Sequence, residues 1–492
     1  MKEIIKIALF TLMLFPLIAC AQDKTQDCNC ESKYRWVRKT FEENDAGFAY
    51  ALEQKGKDLY EAHNRKFEKR VKEITNHPEC FTALVDWLHF FRAGHVAIRP
   101  QINSGNNNSQ PTKEAIIKRF KNWEKFEMSE QKLTQYLAKI KKPGLEGIWL
   151  SAPYRIAIVK KGKGYVGFIL KADGVYWRPG QVKLRINPTE KKDQYKAIFY
   201  MRDHSSRQFN QVKLLEGNFL SMGFILLKRE NTSLRGNVGL SYTLARSSVP
   251  MVKRLSKKTL VLRIPSFNGR NKKIIDSTLK AHHDEITSTE NLIIDIKNGT
   301  GGSDRSYQGI LPYLYTNPIR SVGVALYSTP LNNSRMDKLA AMDQFSQEEK
   351  DNFKKWKVKL DANLGKFVNL NESGKTYSIS TFDKVYEYPK NVAIIINNGN
   401  GSTDEQFLLA AKQSRKVKLF GATTFGVLDI SNMHFVESPC KQFQLGYSLS
   451  KSYRIPGLTI DGKGIQPDYL IDQSLHELEW LEEVQKTVER WK

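Results

Sequence analysis

Beyond its first twenty residues, the 492-residue sequence has no apolar stretch long enough to cross a bilayer, which excludes a membrane-embedded body. Metal-ligand spacings are missing too. Cys28 and Cys30 have no second ligand pair at a recognised distance, so no metal site is expected. The glycine-rich stretch at 297–303 matches neither GxxxxGK[ST] nor GxGxxG, so no phosphate cradle and no nucleotide cofactor are expected there. Acidic residues are in deficit: 52 Asp and Glu against 77 Lys and Arg give a net charge of +25. Such a balance invites a nucleic-acid reading. The basic residues are scattered over every segment, however, and no nucleic-acid motif accompanies them. No nucleic-acid partner is expected, only affinity for anionic surfaces.

What is present begins with MKEIIKIALFTLMLFPLIAC, a lysine-bearing head followed by an apolar run from Ile7 to Ile18. The run fits a secretory signal better than a membrane span. Leu17-Ile-Ala-Cys20 resembles the bacterial lipobox, which implies cleavage after residue 19, lipid attachment at Cys20, and a chain tethered to the cell envelope outside the cytoplasm. A plain signal peptide with a chance cysteine is the alternative. An oxidising compartment permits disulfides among Cys28, Cys30, Cys80 and Cys440. A link from the Cys28/Cys30 region to Cys80 is one possibility, and the spacing alone leaves the pairing open.

Length and a 40% apolar fraction predict a large globular protein of about three domains. A tether (20–30) leads into helices over 31–143, ending in Phe91-Arg-Ala-Gly-His95. His95 stands at a helix-to-strand corner, where a side chain can be projected across a cleft; an ordinary surface or core histidine is the bland reading. Residues 101–112 read as a polar loop, and one further helix is expected over Lys113 to Lys141 with Trp123 and Phe126 buried. Alternation over 144–250 predicts five or six antiparallel strands, a small meander or barrel for binding or spacing. From 251 to 475 strands alternate with helices, implying parallel pairing and right-handed crossovers. This α/β core is interrupted by a charged helical excursion over about 331–373. A C-terminal helix covers 476–492.

Within the core, Gly301-Gly302 follows the strand Asn291 to Ile296, and a helix is expected from there to about Leu314. At a strand's C-terminal end, glycines let backbone N–H groups approach a substrate oxygen; a tight turn explains them equally well. The stretch around which the chain is organised is 391–426. A continuous apolar run, Val392 to Ile396, predicts a buried strand. A polar turn then reaches Ser402, a helix follows to Lys412, and a second strand covers Val417 to Phe420. A hydroxyl at that helix entrance lies beside unpaired N–H groups, as a nucleophile requires. Ser402-Thr-Asp-Glu405 is also a plain capping box.

Five stretches in order resemble the tail-specific, C-terminal-processing serine peptidases, in particular their tricorn-like branch. They are AGHVAI around His95, IIDIKNGTGG up to Gly302, NGSTDEQF around Ser402, GATTFG ending at Gly426, and IDGKGIQPD around Asp461. The resemblance implies a crotonase-like core and a Ser402 nucleophile with His95 as general base. It further implies an oxyanion hole from the N–H groups of Thr403 and Gly301, and peptide or protein as substrate. Members with a lysine base carry it just beyond the GxxTxG turn; here that position is Val427. The tricorn-like branch orients its histidine through a glutamate about sixty residues after the serine. Asp461 stands there, one methylene shorter; a turn-forming Asp461-Gly462 is its bland reading. No carboxylate-binding glycine loop of a peptide-binding PDZ domain is visible over 147–244. The alternative function is a catalytically silent peptide- or glycan-binding lipoprotein on the same scaffold.

Overall fold

A computed structural model describes residues 28–101, 112–142, 144–191, 194–232, 234, 236–472 and 474–491. The expected signal segment, Cys20 and most of the polar loop at 101–112 lie outside the described residues. Among the described residues no helix is long and apolar enough to cross a membrane. The chain divides into two compact units, each built from separated segments.

The first unit combines Met1–Ile102, Tyr327–Gly365 and Asn432–Leu449. Its four leading helices are Cys30–Asn44, Phe48–Lys55, Lys57–Glu73 and His77–Leu88. Asn29 and Asn76 cap two of them, each Oδ1 accepting an N–H at 2.9 Å. Their apolar faces bury Val37, Phe41, Leu84 and Trp87 together with Phe443, Leu445 and Tyr447 from the late strand Phe443–Ser452. The strand Ala97–Pro100 pairs antiparallel with Phe443–Gly446. Two disulfides, Cys30–Cys80 and Cys28–Cys440, staple the same unit. The first joins the regions the sequence named. The second pairs residues 412 apart, a link no local spacing signals. The charged excursion is the helix pair Pro330–Ala340 and Gln347–Asp361, the second opened by a Ser346/Glu349 capping box.

The second unit holds the β-module and the α/β core. Nine strands, rather than five or six, run antiparallel from Gly147–Ser151 to Ile225–Arg229. The single helix expected over 113–141 is two short ones, Lys113–Arg119 and Glu130–Ala138. Between them the backbone is drawn to the sheet: Phe126 N–H donates to Gly180 and Val182 N–H to Glu124. Trp123 and Phe126 are therefore half-buried against the β-module, not enclosed in a helix. The second helix packs Leu133 on Val159, Val166 and Phe168 of that module.

In the core, β1 (Thr259–Arg263), β2 (Asn291–Asp295), β3 (Asn391–Ile396), β4 (Val417–Gly421) and β5 (Tyr469–Leu470) lie side by side, all parallel. The strand Met251–Arg254 adds an antiparallel edge. α1 (Lys272–Ala281) and α2 (Thr403–Ala411) cover one face, where Ile275 and Phe407 meet Leu262, Ile294 and Ile394. α3 (Trp480–Val488) and the helix Asn237–Arg246 cover the other, over Val261, Ile293 and Ile395. Burial on both faces explains why Leu292–Ile294 of β2 and Val392–Ile396 of β3 read as unbroken apolar runs. The helix expected between 303 and 314 is only a turn at Asp304–Ser306 and the short Leu311–Leu314, since Gly309 and Pro312 deny it an interior.

Candidate active site

Two loops leave the C-terminal ends of β2 and β3, and asparagines lace them together. Asn397 Oδ1 accepts from Asn298 N–H at 3.0 Å, its Nδ2 donates to Asn298 Oδ1 at 3.0 Å, and Thr300 N–H donates to the Gly399 carbonyl. Asn400 Nδ2 reaches back to the Ile296 carbonyl at 2.6 Å. The β3 loop ends at Ser402, half-exposed, with φ 58° and ψ −120°. A serine N-cap normally takes an extended backbone; the left-handed φ at Ser402 is a strained exception of the kind held at functional turns. The capping box read from the sequence is present, with Glu405 Oε2 accepting from Ser402 N–H at 3.1 Å.

Gly301, at φ 79°, presses on this corner. A Cβ there would lie 2.9 Å from Ser402 Cβ, 2.9 Å from the Gly401 carbonyl and 3.3 Å from Thr403 N. Gly301, Ser402 and Thr403 are thus brought together across a hundred residues. The Thr403 amide is among those that α2 leaves unpaired at its start. Asn400 Nδ2 supports Asp404 Oδ2 at 2.9 Å, while the buried Asp404 Oδ1 has no hydrogen-bond partner among the described residues. Burial pushes Asp404 up to about 7. The Thr403 side chain lies close to Asp304, an exposed carboxylate at the start of the turn Asp304–Ser306.

Glu405 fixes the neighbouring turn. Its Oε1 accepts from Thr424 Oγ1 at 2.5 Å and Gly426 N–H at 2.8 Å, and its Oε2 accepts from Val427 N–H at 2.9 Å. Burial raises its carboxyl above the ordinary range, and these donors partly offset that rise. Val427, at the position where a lysine base would stand, sends Cγ2 to within 2.7 Å of where a Gly401 Cβ would be. Asp461 packs beneath the same turn, its carboxylate accepting from the N–H groups of Leu428, Asp429 and Ile430 at 2.6–3.1 Å. Asp429 answers by accepting from Ile460 and Asp461 N–H and from buried Arg454 at 2.7 Å. Asp461-Gly462 does form a turn, with Lys463 and Gly464 N–H both bonded back to the Ile460 carbonyl, though no hairpin of strands flanks it.

His95 belongs to the first unit. It sits two residues before the strand Ala97–Pro100, with φ 55°. Arg92 Nη2 donates to its carbonyl at 3.0 Å and Ser448 Oγ at 3.2 Å. Arg92 also pairs with the buried Asp45 through two hydrogen bonds of 2.8 and 2.5 Å, and Asp45 accepts from Ser448 N–H. Sequence reading missed Arg92, Asp45, Asp304, Asp429 and Arg454. Arg92 stands inside the same Phe-Arg-Ala-Gly-His motif, which is the one signal that pointed to any of them.

Residues 258–471 match the model described as peptidase family S41. That segment is similar to peptidase family S41. It carries Gly301, Ser402, Thr403 and Asp461, whereas His95 lies outside it. Probable CtpA-like serine proteases of Staphylococcus aureus (strain bovine RF122 / ET3-1) and Staphylococcus haemolyticus (strain JCSC1435) are 35% identical over 116 residues and 32% over 107. Those matches cover 22% and 20% of this chain, and the same shares of the relatives, so the chain spans about a fifth of their length. Mature CPAF has a similar fold: TM-score 0.51 at 10% identity, covering 93% of this chain and 96% of that one.

Proposed function

We propose that the protein is a serine endopeptidase in which Ser402 is the nucleophile and His95 the general base, working on protein or peptide substrates. The carrying observation is the Ser402 corner, a strained hydroxyl-bearing residue at a strand-to-helix turn with Gly301 against it and the Thr403 amide unpaired. His95 takes the proton from Ser402 Oγ, and Oγ attacks the peptide carbonyl carbon. The oxyanion rests on the N–H groups of Thr403 and Gly301. The C–N bond breaks as His95 returns the proton to the leaving amine, and water hydrolyses the acyl-enzyme. An apolar Val427 beside Gly401 favours the histidine base over a lysine one. Asp461 serves in this scheme as the carboxylate that orients the network through the 428–430 turn. We read the five parallel strands as a crotonase-like core. The two disulfides suit an envelope location with lipid attachment at Cys20.

Ser402→Ala is expected to abolish both peptide hydrolysis and labelling by a fluorophosphonate, and His95→Ala to lower kcat by at least about 10^3-fold. Hydrolysis persisting in the serine variant would sink the assignment. One observation favours the second reading, a silent peptide- or glycan-binding lipoprotein: the Asp461 carboxylate is taken up by the amides of Leu428, Asp429 and Ile430. A wild-type chain that takes no fluorophosphonate label decides for that reading.

A further inference from the structure

Phe425 lies in the turn that Glu405 ties to the nucleophile helix, and 42% of it is exposed although Thr424 and Gly426 on either side are buried. Its backbone has no freedom to tuck the ring away. Phe425 N–H donates to the Asn400 carbonyl at 2.8 Å, and Gly462 N–H donates to that of Gly426 at 2.9 Å. Thr424, Gly426 and Val427 are all held by Glu405. The ring also lies beside the chain that leads into Ser402. A Cβ on Gly401, the residue before Ser402, would sit 3.7 Å from Phe425 Cβ, 4.0 Å from its Cδ1 and 2.7 Å from Val427 Cγ2.

A scattered surface aromatic needs no explanation. An aromatic fixed in solvent on a pinned turn, one residue from a half-exposed candidate nucleophile, has apolar area that folding leaves uncovered and a ligand can cover. The carboxylates nearby add little charge to this spot. Glu405 and Asp461 spend their oxygens on backbone donors, and Asp429 is paired with Arg454.

We propose that Phe425 and Val427 form an apolar subsite that receives a hydrophobic side chain flanking the scissile bond. The proposal rests on the peptidase reading above. Its test is digestion of a peptide library, randomised on both sides of the cleavage point, by the full chain and by Phe425→Ala and Phe425→Lys. The wild type is expected to cut beside Leu, Met, Phe or Tyr. Phe425→Ala loses about tenfold in kcat/KM on those peptides relative to Ala-flanked ones, and Phe425→Lys shifts the preference toward acidic neighbours. An unchanged cleavage profile in both variants overturns the subsite while leaving the peptidase standing. A wild type that neither cleaves nor takes a fluorophosphonate label overturns both.

Discussion

At Gly301 the missing side chain is a steric requirement, since both the left-handed φ and the 2.9 Å approach to Ser402 exclude a Cβ. Gly301→Ala is expected to push the 402 corner out of place, lowering the rate of fluorophosphonate labelling by about a hundredfold or more. Asp404 supplies a second residue-scale expectation. Burial lifts its carboxyl from 3.8 to about 7, so folding favours the protonated form. The stability linked to this group is fully present below about 3.8 and is lost as pH rises through about 7. The urea stability of the wild type minus that of Asp404→Asn should therefore fall between pH 4 and pH 8. A flat difference would mean the carboxyl titrates normally.

The working elements are joined by buried carboxylates. Glu405 couples the first turn of α2 to the turn at 424–427 by three hydrogen bonds, and a fourth holds Ser402 N–H. Glu405→Ala leaves those donors unsatisfied, and about 3 kcal/mol or more of stability should go, read from the urea midpoint and from faster amide exchange at Gly426 and Val427. Asp45 and Arg92 play the same part for the corner that presents His95. Arg92→Ala strands a fully buried carboxylate and should cost about 3–5 kcal/mol in urea unfolding. At this scale the sequence was legible wherever pattern and burial agree. The strands β2 and β3 carry continuous apolar runs because the sheet is covered on both faces. It failed where tertiary pairing overrode local preference. The segment 120–129 leaves helix to hydrogen-bond with residues 180–182 at the start of a strand, and Pro312, in the first turn of Leu311–Leu314, interrupts the longer helix that the pattern predicted.

For the whole molecule, the first unit is assembled from three separated stretches and stapled twice. Opening the Cys30–Cys80 link by a double Ser substitution frees a 50-residue loop in the unfolded chain. About 4 kcal/mol of stability should be lost by the loop-entropy argument. Thermal unfolding with and without reductant checks it, and an unchanged midpoint would count against that bridge.

The order of the motifs, the apolar runs and the glycines determined the parallel core and located Ser402 within it, because burial on two faces and a turn at a strand end are local properties written residue by residue. What the fold alone decided is which distant groups meet. Cys28 found Cys440, Gly301 came to rest on Ser402, and a glutamate that reads as a simple cap took hold of residues some twenty further on. Such partners are chosen by packing over long loops. Closure entropy grows only slowly with loop length, so sequence distance says little about which contacts win.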